Sequence, residues 1–375
     1  MKRHFDYFLF FLICAFIVFS LLFFFCVSAP ASLQRFGNTN YYFLHQLVFG
    51  FLPAIVAGFA GYKIPLGVLR KWALAFVLLN IAGLFFVFIP GIGLKIAGAS
   101  RWISFGKATI QPAEFLKITA IMYLSAWIAS KLYETGAGGW KSNVKKGYHN
   151  TIYILLPFLI FLGIISFALY LQRDISTLGI ISLTLLALYF SAKTPIWHTL
   201  LVVVAGLGAL MLAVRLEPYR FSRWLTFLNP TRDPLGESHQ LTQSIISLGS
   251  GGFWGKGLGL STQKFGGLPT AMSDSIFGII GEELGLIGGA IIIAAFIALF
   301  WRGIQIYKNS NDKFSKLTAI GIVFWISLQA LINIASSAGL FPIAGIPLPF
   351  FSSGGSHLIT EIFAMGLLLN ISKNT

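Results

Sequence analysis

The chain has 375 residues, of which 56% are hydrophobic, 10% charged and 37 phenylalanine, and its net charge is +15. Soluble globular domains carry about 25% charged residues, so that class is excluded and an integral membrane protein remains. The surplus of lysine and arginine reads as membrane topology rather than as nucleic-acid binding.

Apolar runs near the roughly 20 residues that cross a bilayer lie at 7–28, 41–62, 69–90, 113–131, 151–171, 175–192, 196–214, 275–300, 317–338 and 352–372. The expected fold class is an all-α polytopic membrane protein of about ten transmembrane helices, forming one domain over 1–375. The first run follows Lys2 and Arg3 and ends in "SAPA" at 28–31, which imitates a secretory signal and its cleavage site. A signal core has about 7–15 apolar residues, whereas Phe8 to Val27 is a full crossing, so an uncleaved helix is expected. Within it Cys14 and Cys26 stand about 18 Å apart at 1.5 Å per residue, too far to bridge each other.

Orientation follows from the cations of the short loops. With the N-terminus inside, fifteen lysines and arginines, among them Lys2, Arg3, Arg70, Lys141 and Lys373, fall on the cytoplasmic side. Arg35, Lys95, Arg101, Lys107 and Arg173 fall on the other. Both termini are therefore expected to be cytoplasmic.

The outer segments carry the polar chemistry. "GASRWISFGKATIQPAEFLKI" at 98–118 leads into the fourth run, with Pro112 suited to a first helical turn and Glu114 and Lys117 spaced i, i+3 to pair on one face. An ionisable pair inside a spanning helix is a functional hypothesis by default, although a self-satisfied ion pair fits the same spacing. Arg101 beside Trp102 also fits an interface anchor. In "YLQRDIST" at 170–177, Asp174 suits the N-cap of the next helix.

Between the seventh and eighth runs lies a large outer loop, 215–274, whose Trp224, Phe227, Trp254 and Phe265 are too apolar for a solvated linker. Its "GSGGFWGKGLG" at 249–259 resembles a P-loop but fails the spacing, since Ser250 stands where the first glycine belongs and Gly257 where Ser or Thr belongs. Closely spaced glycines beside Lys256 still allow backbone N–H groups to approach an anion; plain turns with a solvated lysine are the alternative.

The next segment, "TAMSDSIFGIIGEELG" at 270–285, holds three of the chain's twelve carboxylates. Asp274 precedes the apolar run, where an N-cap belongs. On a continuous helix Glu282 would lie about 12 Å deeper and about 80° round from it, with Glu283 on the opposite side. Asp274 and Glu282 therefore cannot flank one bond as a glycosidase pair does at roughly 5–9.5 Å. Glu282 and Glu283 are expected to be structural, tied to Lys117 or to hydroxyls.

Four blocks, "GASRWISFGKATIQPAEFLK", "FLNPTRDPLGESHQLTQSIISLGSGGFWGKGLGLSTQKF", "LPTAMSDSIFGIIGEELGLIG" and "GLFPIAGIPLPFFSSGGS", resemble in order the signature blocks of the FtsW/RodA (SEDS) peptidoglycan glycosyltransferases. The likeness runs over nearly the whole chain and is closer to the FtsW branch. It implies transfer of a glycan held on undecaprenyl pyrophosphate to the 4-hydroxyl of lipid II, at the outer face of a bacterial plasma membrane. It further implies Asp274 as the catalytic carboxylate, Arg101, Lys117 and Lys256 as pyrophosphate contacts, and Glu114 as the residue orienting Lys117. By the same matching Gln111, Gln243 and Ser244 join the substrate-binding set. The partners implied are lipid II, a class B penicillin-binding protein transpeptidase, and other division or elongation machinery.

Some positions depart from the family pattern. Gln172-Arg173-Asp174 stands for Gln-Pro-Asp, Thr270 for a glutamate, and Ser353 and His357 for Tyr and Ser. Thr270 removes a carboxylate near Asp274, so no cofactor is certain and a divalent cation is left open. The six histidines show no ligand spacing, and no metal site is assigned. A lipid II flippase and a non-catalytic division scaffold stand as alternatives to the polymerase. Transporters place polar sites at the midplane on broken helices, whereas this chain gathers cations, glycines and Asp274 on one side, which favours an enzyme.

Overall fold

A backbone crossing lipid must satisfy its own hydrogen bonds, so long apolar runs become helices. A computed structural model of the chain describes residues 5–373 except 97, 107, 132–149, 193, 195, 216–217 and 230–237. Of the fifteen cations expected on the cytoplasmic side, Lys2, Arg3, Lys141, Lys145, Lys146 and Lys193 lie outside the described residues, as does Lys107 of the other side.

The helices are α1 (Tyr7–Phe36), α2 (Tyr41–Lys63), α3 (Leu66–Phe86), α4 (Pro112–Lys131), α5 (Thr151–Leu171), α6 (Ile175–Ser191), α7 (Ile196–Arg215), α8 (Pro218–Leu228), α9 (His239–Ser250), α10 (Ile276–Asn309), α11 (Lys313–Ser337) and α12 (Gly355–Ser372). Each of the ten expected runs holds a helix. Among the described residues seven, α1, α2, α3, α5, α10, α11 and α12, are long and apolar enough to cross a membrane by themselves, and the protein is membrane-embedded. Of the others, α4 carries the Glu114–Lys117 pair and α6 has only 17 residues.

Local chemistry sets the ends. Asp6 caps α1 by accepting the Leu9 N–H at 3.1 Å, and Gly37 closes it in the left-handed region. The "SAPA" stretch is helical within α1. Asp174 caps α6 through the Thr177 N–H at 3.3 Å, as expected from its position.

Two features depart from a purely helical plan. A three-stranded antiparallel sheet, β1 (Gly93–Ile96), β2 (Ala99–Phe105) and β3 (Ala108–Ile110), precedes α4, with Gly93 opposite Ile103 and Ile103 opposite Ile110. Its strands are rich in Ile, Trp and Phe, which suit a pleated surface, but they are too short to stand out beside the transmembrane runs. The expected large loop also has helices of its own, α8 and α9, the latter packed on α10.

At the centre lie α11 and α12, with α4, α6, α10 and α2 around them. Lipid supplies no hydrophobic drive between helices, so close backbone approach carries the packing. A methyl placed on Gly366 of α12 would sit 2.0 Å from the carbonyl oxygen of Gly58 in α2, which only glycine permits.

Candidate active site

The segment 270–275 enters α10 as a turn, and α10 starts at Ile276 with Ser275 at its N-cap position. Asp274 therefore does not cap the helix, contrary to its sequence position. Its backbone is instead held from two other elements: Asn333 of α11 donates from Nδ2 to the Asp274 carbonyl at 2.8 Å. Ser352 Oγ donates to the Ser273 carbonyl and the Ser353 N–H to that of Met272, each at 2.7 Å. Gln240 of α9 donates from Nε2 to Thr270 Oγ1 and to Ser275 Oγ, both at 3.0 Å. Thr270, the departure from the family pattern, thus serves as a hydrogen-bond partner rather than as a second carboxylate.

The Asp274 carboxylate is half-buried beside two guanidinium groups. Burial pushes its pKa above the ordinary carboxylate value, and Arg223, then Arg101, pull against that rise. Arg223 comes from α8 and donates from Nη1 to the Ile343 carbonyl at 2.9 Å. Gly345 lies between the charges, since a methyl there would be 3.7 Å both from Arg223 Nη1 and from Asp274 Oδ2. Arg101 on β2 donates from Nε to the Gln172 carbonyl at 3.2 Å and from Nη2 to the Arg173 carbonyl, so the sheet and the α5–α6 turn fix its position together.

A recess of about 230 Å³, counted to its open mouth, holds Asp274, Gln240, Ser244, Ser275, Ser336 and Ile343. Ser244 is in place there, its hydroxyl donating to the Ser337 carbonyl at 2.9 Å. Gln243 is half-buried beside it on α9. Gln111 donates from Nε2 to Asp174 Oδ2 at 3.3 Å and so joins the start of α4 to the start of α6.

The other predicted cations are committed elsewhere. Lys117 is buried, 2.7 Å from Glu114 Oε2 and 2.9 Å from Gln329 Oε1, with the Trp325 ring 5.2 Å away. Glu114 does hold Lys117, as the spacing predicts. Lys256 lies 2.6 Å from Glu282 Oε1 with a third of its side chain exposed.

Glu282 and Glu283 are structural, but neither uses Lys117. Their partners come from the glycine loop. Glu282 accepts from Lys256, Ser261, the Thr262 hydroxyl and N–H, the Gln263 N–H, and Ser247. Glu283 accepts from the Gly259 N–H at 2.9 Å, the Ser261 N–H at 3.3 Å and Lys264 Nζ at 2.9 Å. The loop is an anion cradle, as its glycines indicate, and the anions it cradles are the chain's own carboxylates.

That arrangement exists because α10 is broken. Gly285 has φ 67° and ψ −166°, and the freed groups on either side are completed by the loop. Leu286 and Ile287 donate to the carbonyls of Gly252 and Phe253 at 2.9 and 3.2 Å, while Lys256 and Gly257 donate to those of Glu282 and Glu283 at 3.0 Å. Glu282 and Glu283 thus sit about two turns into the helix, as expected, and just before the break.

Arg223 escaped the sequence reading. The signal available was an arginine in "EPYRFSRW", an amphipathic stretch of the same loop as Asp274. Among the described residues no three His, Cys, Asp or Glu side chains converge as metal ligands.

Comparison with known proteins shows the family. The family model described as "Cell cycle protein", covering FtsW, RodA and SpoVE, matches residues 7–375. The chain is 36% identical to a probable peptidoglycan glycosyltransferase FtsW of Coxiella burnetii, over 93% of this chain and 91% of that one. It is 35% identical to stage V sporulation protein E of Bacillus subtilis, over 92% and 91%. Among solved structures, a chain from "Structural coordination of polymerization and crosslinking by a peptidoglycan synthase complex" superposes with a TM-score of 0.73 at 22% identity, covering 98% and 97%. Rod shape determining protein RodA of Thermus thermophilus superposes with a TM-score of 0.66 at 21% identity, covering 98% and 96%. Matched from its first spanning helix to its last residue, and sharing the fold of these structures, the chain belongs to the FtsW/RodA/SpoVE family of membrane proteins.

Proposed function

We propose that the protein polymerises peptidoglycan glycan strands at the outer face of a bacterial plasma membrane, with both termini in the cytoplasm. One observation carries the reading: a half-buried carboxylate with a raised pKa, Asp274, opens into a recess and is flanked by Arg223 and Arg101. The names of the relatives support the same class of reaction, and the FtsW names among them support a role in septal wall synthesis.

The 4-hydroxyl of lipid II attacks the anomeric carbon of the growing glycan. The new C–O bond forms as the bond to the undecaprenyl pyrophosphate oxygen breaks, and that oxygen leaves with the electron pair. Asp274 takes the hydroxyl proton, work for which a pKa raised toward the operating pH is suited. Arg223 and Arg101 face the charge that develops on the leaving diphosphate, where fixed cations act most strongly. Pyrophosphate needs no general acid to depart, so one carboxylate suffices. Ser244 lies in the same recess, Gln111 and Gln243 are offered as further polar contacts for the sugars, and Lys256 offers a further cation at the edge of the loop.

A transpeptidase of the class B penicillin-binding type is the partner this reading requires, since the product is an uncrosslinked strand. The description of the similar complex, which pairs polymerisation with crosslinking, supports it. The test is gel analysis of lipid II polymerisation by the purified protein, alone and with that partner. Polymer made at the wild-type rate by a folded Asp274→Asn variant overturns the assignment. Lipid II translocation without polymer in the unmodified protein supports the flippase reading instead.

A further inference from the structure

Glu361 lies wholly buried in α12, and no step of the proposed reaction uses it. Its oxygens are separately engaged: Oε1 accepts from Gln329 Nε2 at 3.3 Å, and Oε2 accepts from the Phe350 N–H at 2.8 Å. Gln329 also accepts from Lys117 Nζ and Trp325 Nε1, each at 2.9 Å, and donates to the Pro347 carbonyl at 3.0 Å. His357, one turn before Glu361, brings Nδ1 to 3.6 Å from Oε2. Glu361 and His357 therefore share a single buried cluster with the Glu114–Lys117 pair.

Phe350 is the informative partner. Its φ is 68°, a region that bulky residues with a Cβ rarely enter, and its side chain is buried. Such a conformation persists only where the surroundings over-determine it. Here both of its backbone polar groups are gripped by buried side chains, the N–H by Glu361 and the carbonyl by Ser20 Oγ of α1. Two residues on, Ser352 Oγ accepts the Leu348 N–H at 2.8 Å and donates to the Ser273 carbonyl at 2.7 Å. The bonded path runs from a buried carboxylate, through one turn, to the residue before Asp274.

We infer that Glu361 is a positioning residue for Asp274: it holds the 347–353 turn in its left-handed form, and that turn seats the segment carrying the base. The inference rests on the reading of Asp274 given above. It explains why a carboxylate is kept among apolar helices, where an ionisable group is costly unless it has work to do. It also gives the His357–Glu361 spacing a purpose, since the imidazole provides a polar neighbour for the carboxylate oxygen that grips Phe350.

The experiment combines hydrogen exchange with lipid II kinetics on the full-length protein, with its transpeptidase partner present if activity requires it. In Glu361→Leu, exchange at 270–275 is expected to rise and kcat to fall about tenfold, with KM within about twofold, since small displacements of a reacting group cost rate rather than binding. Glu361→Gln, which keeps an oxygen for the Phe350 N–H, should restore most of kcat. Ser352→Ala leaves the buried cluster intact and cuts the path; it should reproduce both effects, and the double variant should be no worse than the poorer single one, as for coupled residues. If Glu361→Leu does not fold, Ser352→Ala and Glu361→Gln carry the test. Unchanged exchange at 270–275 in Ser352→Ala, or a kcat of Glu361→Gln as low as that of Ser352→Ala, overturns the inference. If the wild type makes no polymer, the functional reading fails by itself, and exchange alone decides the positioning.

Discussion

Asn333 grips Asp274 by its backbone: the amide nitrogen Nδ2 lies 2.8 Å from the Asp274 carbonyl oxygen and 2.7 Å from that of Ile346. One side chain of α11 thus fastens together the segment before α10 and the loop that follows α11. The aspartate is held by its main chain, and its carboxylate is left to be governed by Arg223 and Arg101. That division of labour makes the carboxylate's titration the natural first test.

The rate of polymerisation should rise with pH along an acid limb set by Asp274. An unperturbed aspartate titrates near about 3.9, and burial raises Asp274, so the limb is expected above that value. The base works only when deprotonated, so activity is lost as pH falls through the raised pKa. A pH profile of kcat/KM checks this. Asp274→Asn should abolish the limb and lower the rate by about 100-fold or more, the usual loss with a general base.

Arg223→Ala should move that limb further up, because Arg223 is the larger of the two charges that oppose the effect of burial. Below the shifted limb the variant is then less active than the wild type, and it recovers in part as pH rises through the limb. KM for the lipid-linked donor should rise as well, by roughly tenfold for one lost charge-assisted contact of about 1.5 kcal/mol or more. Arg101→Ala should act in the same direction and less strongly on the limb.

Gly285→Ala should damage the fold rather than the chemistry. The residue has φ 67°, and the added methyl would stand 2.3 Å from the Gly255 nitrogen and 2.6 Å from the Phe253 oxygen, both backbone atoms that cannot swing aside. Left-handed strain alone is about 1 kcal/mol or more, and the displaced loop adds to it. Thermal unfolding in detergent should show a clear fall in Tm, whereas Gly163→Ala, with open space around it, serves as a neutral control.

Glu282→Ala should destabilise more than Lys256→Ala. Removing Glu282, which is fully buried, leaves Lys256, Ser261 and Thr262 without their acceptor, and the buried Ser261 hydroxyl left unsatisfied alone costs about 1–3 kcal/mol. Lys256 is 35% exposed, so solvent replaces much of what its removal loses. If Lys256 also meets the diphosphate, Lys256→Ala raises KM at nearly unchanged Tm. Paired unfolding and kinetic measurements separate the two roles.

Much of the molecule was legible because lipid simplifies the problem. With no water to satisfy the backbone, each of the ten apolar runs had to become a helix, and each is one. Asp174 and the Glu114–Lys117 pair were readable for the same reason: their partners are local, three residues away. What escaped depends on contacts far apart in sequence. Lys256 and Glu282 are separated by 26 residues, Arg223 and Asp274 by about fifty, and neither spacing leaves a period to read. Gly285 looks like its neighbours Gly288 and Gly289 in an apolar stretch, and only the arrival of the 251–257 backbone distinguishes it. The capping assignment for Asp274 failed by a single residue, because the turn from Thr270 consumes one more position before the helix begins.

The break at Gly285 also bears on how the protein is made. Beyond it, Leu286–Asn309 has roughly 24 residues, about 36 Å of helix, which is enough to cross a bilayer unaided. Residues 251–264 leave the ribosome before the segment they clasp, so Lys256, Lys264 and the glycine N–H groups await carboxylates not yet synthesised. The clasp closes only after Glu282 and Glu283 emerge and the next crossing is under way. Closure of the clasp therefore waits on the very helix whose break it completes.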